Sequence, residues 1–186
     1  MRKRSLKTIL MSILLGLIVV IGAFCVLVAT RPNDMKVSQS ATMKATPAAV
    51  FEQVNDFHKW EAWSPWAQLD PAMKSTYAGS TSGQGAVYSW VGNSDAGEGR
   101  MTITDSQPAS RIAIKLEFVK PFASIADTLF EFAPAAAGTT VTWTMSGDND
   151  FLSKAFSLFM GGMDKMIGPD FEKGLAQMKA VAEGKK

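Results

Sequence analysis

Alternating apolar and polar residues run through the middle of the chain. In the segment 111–118 one parity is entirely apolar, namely Ile112, Ile114, Leu116 and Phe118. Val141, Trp143 and Met145 likewise face away from three threonines in the segment 140–145. Because successive side chains of a strand point to opposite faces, this pattern predicts half-buried antiparallel strands. Turn residues bound each segment, and the predicted strands are 36–43, 73–78, 85–91, 97–105, 111–119, 124–132 and 139–146.

Helical spacing appears at both ends of this predicted sheet. Thr46 and Pro47 have the residue types of an N-cap and a first helical position, so a helix is predicted to begin there. After the last strand, Asp150 is predicted to cap a short helix that ends at Gly161-Gly162. A longer amphipathic helix is predicted to run to about Ala182, with its apolar positions at Ile167, Phe171, Leu175, Met178 and Val181. Pro169 marks either a kink in that helix or its start. An α+β fold follows, in which a curved antiparallel sheet covers the C-terminal helix.

The first 30 residues have a different character. Residues 8–30 are 23 consecutive uncharged residues, and about 20 such residues span a hydrocarbon core as a helix. Arg2, Lys3, Arg4 and Lys7 precede them, so the positive-inside rule places the N-terminus in the cytoplasm. One alternative is a cleaved signal peptide with a poor site at Val28-Ala29-Thr30, and another is a lipoprotein signal, which Phe24 before Cys25 disfavours. The third is a buried helix of the folded domain, which the lack of a polar face disfavours. We therefore expect a single-pass protein of the cytoplasmic membrane with its C-terminal domain outside. The predicted parts are a basic tail (1–7), an anchor (8–30), a linker (31–35) and a folded domain (36–184).

The predicted anchor also explains the charge of the chain. Of 19 Lys and Arg, four lie in residues 1–7, whereas all 17 Asp and Glu follow residue 33, so the remainder carries 15 − 17 = −2. No basic surface is left for nucleic acid, and no nucleic-acid partner is expected. The single Cys and single His exclude a disulfide framework and a multi-histidine metal site, and we predict neither a metal nor a cofactor.

The concave face of the predicted sheet is the candidate binding site. Ligand pockets are typically apolar hollows with a few polar groups, and strand parity places a set of large apolar residues on this face. The predicted ligand-binding residues are Tyr88, Trp90, Met101, Leu116, Phe118, Phe130, Trp143 and Met145, with Phe171 and Leu175 opposite on the helix. Ile103, Ile114 and Met178 belong to the same surface. The alternative is that these residues fill a solid core.

Two further groups have open interpretations. Trp60, Trp63 and Trp66 either close the open end of the sheet or form an aromatic rim at a cavity mouth or bilayer interface. His58 has no evident partner, and Glu98 with Arg100 is the pair to test for polar contacts in the cavity, although a surface ion pair is the simpler expectation. No catalytic residue is predicted.

Several stretches resemble the START-like superfamily, also called SRPBCC, which includes polyketide cyclase/dehydrase and lipid-transport proteins. The resemblance is carried by ATPAAVFEQVNDF (45–57), WEAWSPW (60–66), GAVYSW (85–90), GEGRM (97–101) and GPDFEKGL (168–175). It implies a helix-grip fold with an apolar cavity between sheet and helix, in a membrane-anchored bacterial branch. It implies no particular reaction, because one fold hosts many functions.

We therefore expect a membrane-anchored domain that binds a hydrophobic small molecule or lipid in an internal cavity, as a carrier or sensor without chemistry. One alternative is a cyclase/dehydrase-type enzyme that acts on a polyketide-like substrate. The other is an envelope interaction domain whose core is filled by side chains.

Overall fold

The computed structural model describes residues 6–185, so most of the predicted basic tail lies outside the described residues. An N-terminal helix α1 is followed by a strand, two short helical segments, six further strands and two C-terminal helices. Their bounds are α1 Leu6–Ala29, β1 Asp34–Met43, α2 Pro47–Asn55, a 3₁₀ helix Phe57–Ala62, β2 Lys74–Gly79, β3 Ala86–Val91, β4 Glu98–Gln107, β5 Arg111–Lys120, β6 Ser124–Ala135, β7 Gly138–Asp148, α3 Phe151–Met160 and α4 Met163–Ala182. The strands begin and end within a few residues of the predicted bounds.

The strands form one antiparallel sheet. Its order is β1-β7-β6-β5-β4-β3-β2. Strands β2 to β7 therefore lie side by side in the order of the chain, and β1 pairs with β7, the strand farthest from it in sequence. In β7 the predicted alternation of apolar and polar residues matches the burial of the side chains: Val141, Trp143 and Met145 are buried on the inner face, and the threonines between them are not. On the outer face three hydroxyl pairs join β1 to β7, with oxygen–oxygen distances of 2.8 to 2.9 Å. The predicted α+β class and helix-grip arrangement are confirmed.

Helix α2 begins as predicted and organises the tryptophan-rich segment after it. The Thr46 hydroxyl accepts a hydrogen bond from the backbone N–H of Ala49 at 3.3 Å, which caps the helix. The indole N–H of Trp60 donates to the carbonyl of Val54 at 3.0 Å, and that of Trp63 donates to Gln53 at 2.9 Å. These bonds satisfy two polar groups that burial would otherwise leave unpaired, so both rings can enter the core.

Helix α4 lies against the inner face of the sheet. Phe171, Leu175 and Met178 form its buried side, at the predicted spacing. The helix begins at Met163, so Pro169 lies inside it rather than at its start. The break before it is at Gly161, whose φ of 86° is a left-handed value that glycine adopts without strain.

Helix α1 is apolar along its whole length, and its described side chains are exposed apart from Val28. It is the one helix within residues 6–185 with the length and composition of a membrane span. A signal sequence near an N-terminus has the same features.

We expect Glu183→Gln to loosen the end of α4 in a pH-dependent way. The Glu183 carboxylate pairs with the Lys185 ammonium at 2.7 Å and accepts the backbone N–H of Lys44 at 2.8 Å. The hydrogen bond from Lys185 and that from the Lys44 backbone hold the pKa of Glu183 below its ordinary value of 4.5. A lowered folded-state pKa contributes stability above the unfolded pKa and loses it as pH falls through the folded one.

The melting temperature of Glu183→Gln should therefore lie below that of the parent at neutral pH, and the difference should shrink as the pH falls below about 4.5. Glu172→Gln, an exposed position on the same helix, is the control and should show neither effect. A Glu183→Gln deficit that is independent of pH would contradict this role.

Candidate ligand-binding cavity

A cavity of about 590 Å³ lies between the concave face of the sheet, the segment that follows α2, and α4. Its floor includes Tyr88, Met101 and Leu116, which are directly paired across β3, β4 and β5. The sheet and helix therefore leave an apolar space where the filled-core alternative expects packed side chains. A hollow of this size suits a small apolar ligand.

Most of the predicted binding residues meet in this cavity. Eight of the ten line it, namely Tyr88, Trp90, Met101, Leu116, Phe118, Trp143, Met145 and Phe171. Contact between these residues and a ligand remains a prediction, because the cavity shows only where they lie.

Phe130 and Leu175 do not line the cavity. Both are fully buried and belong to the core beneath it. The Phe130 ring stacks on Trp143 with 4.8 Å between centroids, and the edges of Trp60 and Trp63 also pack against it. Aromatic neighbours occupy the space around the Phe130 ring. Strand parity therefore predicts correctly that Phe130 is on the inner face of the sheet, but it does not show whether the ring borders the cavity.

A missing side chain shapes one wall. Gly99 lies between Trp90 and Phe118 in the sheet, and a Cβ at this position would come within 2.4 Å of the Trp90 ring. The absent Cβ lets the indole lie across β4, where its edge meets Phe118 at 6.1 Å between centroids. Its N–H donates to the carbonyl of Ala96 at 2.9 Å, which fixes the ring in place. Gly99 therefore leaves the room in which the ring of the lining residue Trp90 lies.

The three tryptophans of the segment 60–66 divide between the core and the cavity wall. Trp63 is fully buried and closes the core, whereas Trp60 and Trp66 line the cavity. Trp143 links the two regions, because its ring stacks on Phe171 at 4.1 Å and meets Trp66 edge-on at 5.6 Å. The cluster is thus part of the cavity wall as well as a plug.

The polar part of the lining was not predicted from the sequence. Ser64, Ser75, Tyr77 and Thr128 contribute hydroxyls, and Glu61, Asp70 and Asp170 contribute carboxylates. Asp170 had a usable signal, because it lies three residues after the lining residue Ile167 and so on the same side of α4. Of the other two carboxylates, Glu61 lies near the end of the short 3₁₀ helix and Asp70 in the loop after it, and neither segment is long enough for a periodic pattern to indicate orientation.

The phenol of Tyr77 is held in its neutral form at the cavity wall. Burial raises its pKa above 10.0, and neighbouring Tyr88, Glu61 and Asp56 raise it further. Tyr77 is therefore a hydrogen-bonding group here rather than a phenolate nucleophile. The adjacent Tyr88 hydroxyl lies 3.1 Å from the Ser75 hydroxyl.

The candidate acid/base residues lie outside the cavity. His58 is half exposed, its Nδ1 lies 2.8 Å from Asp56 Oδ1, and its ring stacks on Tyr77 at 4.0 Å. Glu98 pairs with Lys120 at 2.7 Å rather than with Arg100, as a surface ion pair. Within the described part of the chain, no three His, Cys, Asp or Glu side chains are arranged to hold a metal ion.

Comparison with solved structures places the fold among bacterial proteins of low sequence identity. A protein from Rhizobium leguminosarum described as putative and uncharacterised matches with a TM-score of 0.59 and 18% identity, over 82% of this chain and 96% of its own. A protein of unknown function from Staphylococcus aureus gives 0.59 and 12%, over 81% and 94%. Protein CV1439 from Chromobacterium violaceum gives 0.56 and 15%, over 82% and 99%. At such identities these matches show a shared fold alone.

The comparison with curated proteins gives no match. Residues 34–183, which include the sheet, the cavity and α4, match the family described as polyketide cyclase / dehydrase and lipid transport. This match spans the stretches on which the START-like resemblance rests. The chain therefore belongs to the polyketide cyclase / dehydrase and lipid transport family.

Proposed function

We propose that this chain is a membrane-anchored protein that binds a hydrophobic small molecule or lipid in its internal cavity, as a carrier or sensor. The observation that carries this proposal is the apolar space of about 590 Å³ between sheet and α4. Family membership adds support, because the family includes lipid-transport proteins.

Helix α1 supplies the proposed anchor. It is apolar and exposed, and an exposed face of this kind is stable in a bilayer rather than in water. The four basic residues within 1–7 favour a start in the cytoplasm, which would leave the folded domain, 36–184, on the extracytoplasmic side of the cytoplasmic membrane. The anchor then holds the cavity close to a source of apolar ligands.

The charges of the lining favour an uncharged or cationic ligand over an anion. Glu61, Asp70 and Asp170 line the cavity, and no Lys, Arg or His is among its described lining residues. An anionic headgroup would lie near three carboxylates without a balancing cation.

Dodecanol, dodecylamine and dodecanoate test this proposal because they share one apolar chain. The full chain in detergent, incubated with each compound and measured by native mass spectrometry, should retain the alcohol and the amine. Retention of dodecanoate should be roughly tenfold lower, since each partly exposed carboxylate near the headgroup contributes about 1 kcal/mol of repulsion or less.

Asp170→Asn should reduce the difference in retention between dodecylamine and dodecanoate. Asp164→Asn, on the same helix but outside the cavity lining, is the matched control and should leave it unchanged. No retention of any of the three compounds would contradict cavity binding. A bound compound whose mass changes during incubation would favour the cyclase/dehydrase alternative.

A further inference from the structure

One end of the sheet gathers several elements next to α1. The chain passes from α1 into β1 at Asp34, which pairs with Asp148 at the end of β7. The turn between β5 and β6 lies at this end, because Ala126 near the start of β6 pairs with Gly147 near the end of β7. Helix α3 starts from the same end, directly after β7.

Helix α3 is oriented with its apolar side outward. Phe159 is 84% exposed, and Phe151, Phe156 and Met160 are each about half exposed. Lys154 is instead buried and donates a hydrogen bond to the side-chain oxygen of Asn33, in the connection between α1 and β1. An amphipathic helix on the surface of a water-soluble protein has the opposite arrangement, with its apolar side packed against the protein.

A second apolar patch lies at the same end of the sheet. In and beside the turn between β5 and β6, Phe122 is 75% exposed, and Val119 and Ile125 are more than half exposed. Helix α3 itself packs against α1, whose Val28 is fully buried. Helix α3 therefore adjoins the end of the proposed membrane span, and the second patch lies at the same end of the sheet.

We propose that the exposed face of α3 and the turn between β5 and β6 dock into the interfacial layer of the bilayer that α1 spans. Phenylalanine and methionine on one side of a short helix suit the boundary between headgroups and acyl chains. The lipid surface is the favoured occupant because α3 packs against α1, the proposed membrane span, and the second patch is exposed at the same end of the sheet. This inference rests on the proposed anchoring.

Docking at this end brings the cavity to the lipid. The lining residues Trp90 and Phe118 lie near the last rows of the sheet at this end, and the lining residue Ala96 lies in the turn between β3 and β4. An apolar ligand can then pass between bilayer and cavity with little exposure to water. The cavity would exchange ligand directly with the leaflet that α3 touches.

Spin labels on single cysteines test the docking in the full chain. Cys25 is the sole cysteine, so Cys25→Ala combined with Phe159→Cys, Phe122→Cys or Ala137→Cys gives one label each. Ala137 lies in the exposed turn between β6 and β7, at the opposite end of the sheet, and is the control. Each protein is reconstituted in vesicles of phosphatidylcholine and phosphatidylglycerol, and collisions with oxygen and with a water-soluble nickel chelate are measured.

The labels at 159 and 122 should collide several times more with oxygen than with the nickel chelate, relative to the label at 137. Equal accessibility at 159 and 137 would overturn the docking. Protection from both reagents with dipolar broadening would also overturn it, because a second copy of the chain would then cover α3.

A label on the native Cys25 separates this proposal from the anchoring. Cys25 lies within α1, so its label should be accessible to oxygen alone if the helix spans the bilayer. A membrane-embedded label at 25 with a water-exposed label at 159 would leave the anchor in place and refute the docking. A water-exposed label at 25 would refute the anchoring and the docking with it.

Discussion

Replacing Met101 and Leu116 together by tryptophan is expected to lower ligand retention by about tenfold or more, equivalent to a loss of at least roughly 1.4 kcal/mol of binding free energy. The two residues are paired on β4 and β5 and both line the cavity. Two indole rings from adjacent strands would divide the space that an extended apolar ligand needs. Native mass spectrometry of the full chain with dodecanol measures the effect.

The control introduces two tryptophans on the opposite face of the same two strands. Thr102 and Lys115 are the next pair in register, and neither lines the cavity. Thr102→Trp with Lys115→Trp should therefore bind dodecanol as the parent does. If both double variants bind equally well, the ligand occupies another part of the molecule.

Phe130→Ala is expected to destabilise the domain by about 3–5 kcal/mol, the usual cost of truncating a buried aromatic residue. Phe130 is fully buried, stacks on Trp143 and packs against Trp60 and Trp63. Removing the ring leaves a void among rigid aromatic neighbours that cannot easily collapse. The melting temperature should fall by roughly 10 °C or more.

Phe118→Ala is the matched comparison, since it removes the same ring from the cavity wall. Phe118 is only partly buried, and part of its surface already faces the cavity. The substitution should lower the melting temperature by less than half as much as Phe130→Ala. Equal losses would show that the space beside Phe118 is as tightly packed as the core.

Strand and helix positions could be read from the chain because each element buries one face. The alternation of Ile112, Ile114, Leu116 and Phe118 can satisfy both water and core only as a strand. In β5, Ile112 and Ile114 are buried, whereas Leu116 and Phe118 are half-buried because they border the cavity. The Thr46 cap and the Gly161 break are local signals, so they needed no tertiary information.

Parity could not separate cavity wall from core. Phe130 and Trp143 are paired neighbours on β6 and β7 and both point inward, but only Trp143 borders the cavity. The difference depends on the curvature of the sheet and on where the tryptophan segment packs. Glu61 and Asp70 were not predicted for a related reason. They lie in a short 3₁₀ helix and in the loop after it, which are too short to show a periodic pattern that indicates where a side chain points.

The outward-facing apolar side of α3 was also invisible in the sequence. The sequence predicts a short helix that Asp150 caps and Gly161-Gly162 ends, without indicating which side of it packs against the domain. In the structure the buried contact between Lys154 and Asn33 accompanies an apolar side that faces outward. Only the folded arrangement beside α1 shows it.

The central claim is that the cavity holds an apolar ligand, and the mass of the protein as isolated tests it most directly. The full chain is taken from its own membranes in mild detergent, and native mass spectrometry is run before and after organic extraction. A species heavier than the chain, lost on extraction and absent from the Met101→Trp, Leu116→Trp variant, is the expected result. A protein that has only its own mass, and that takes up none of the three dodecyl compounds, would contradict the claim.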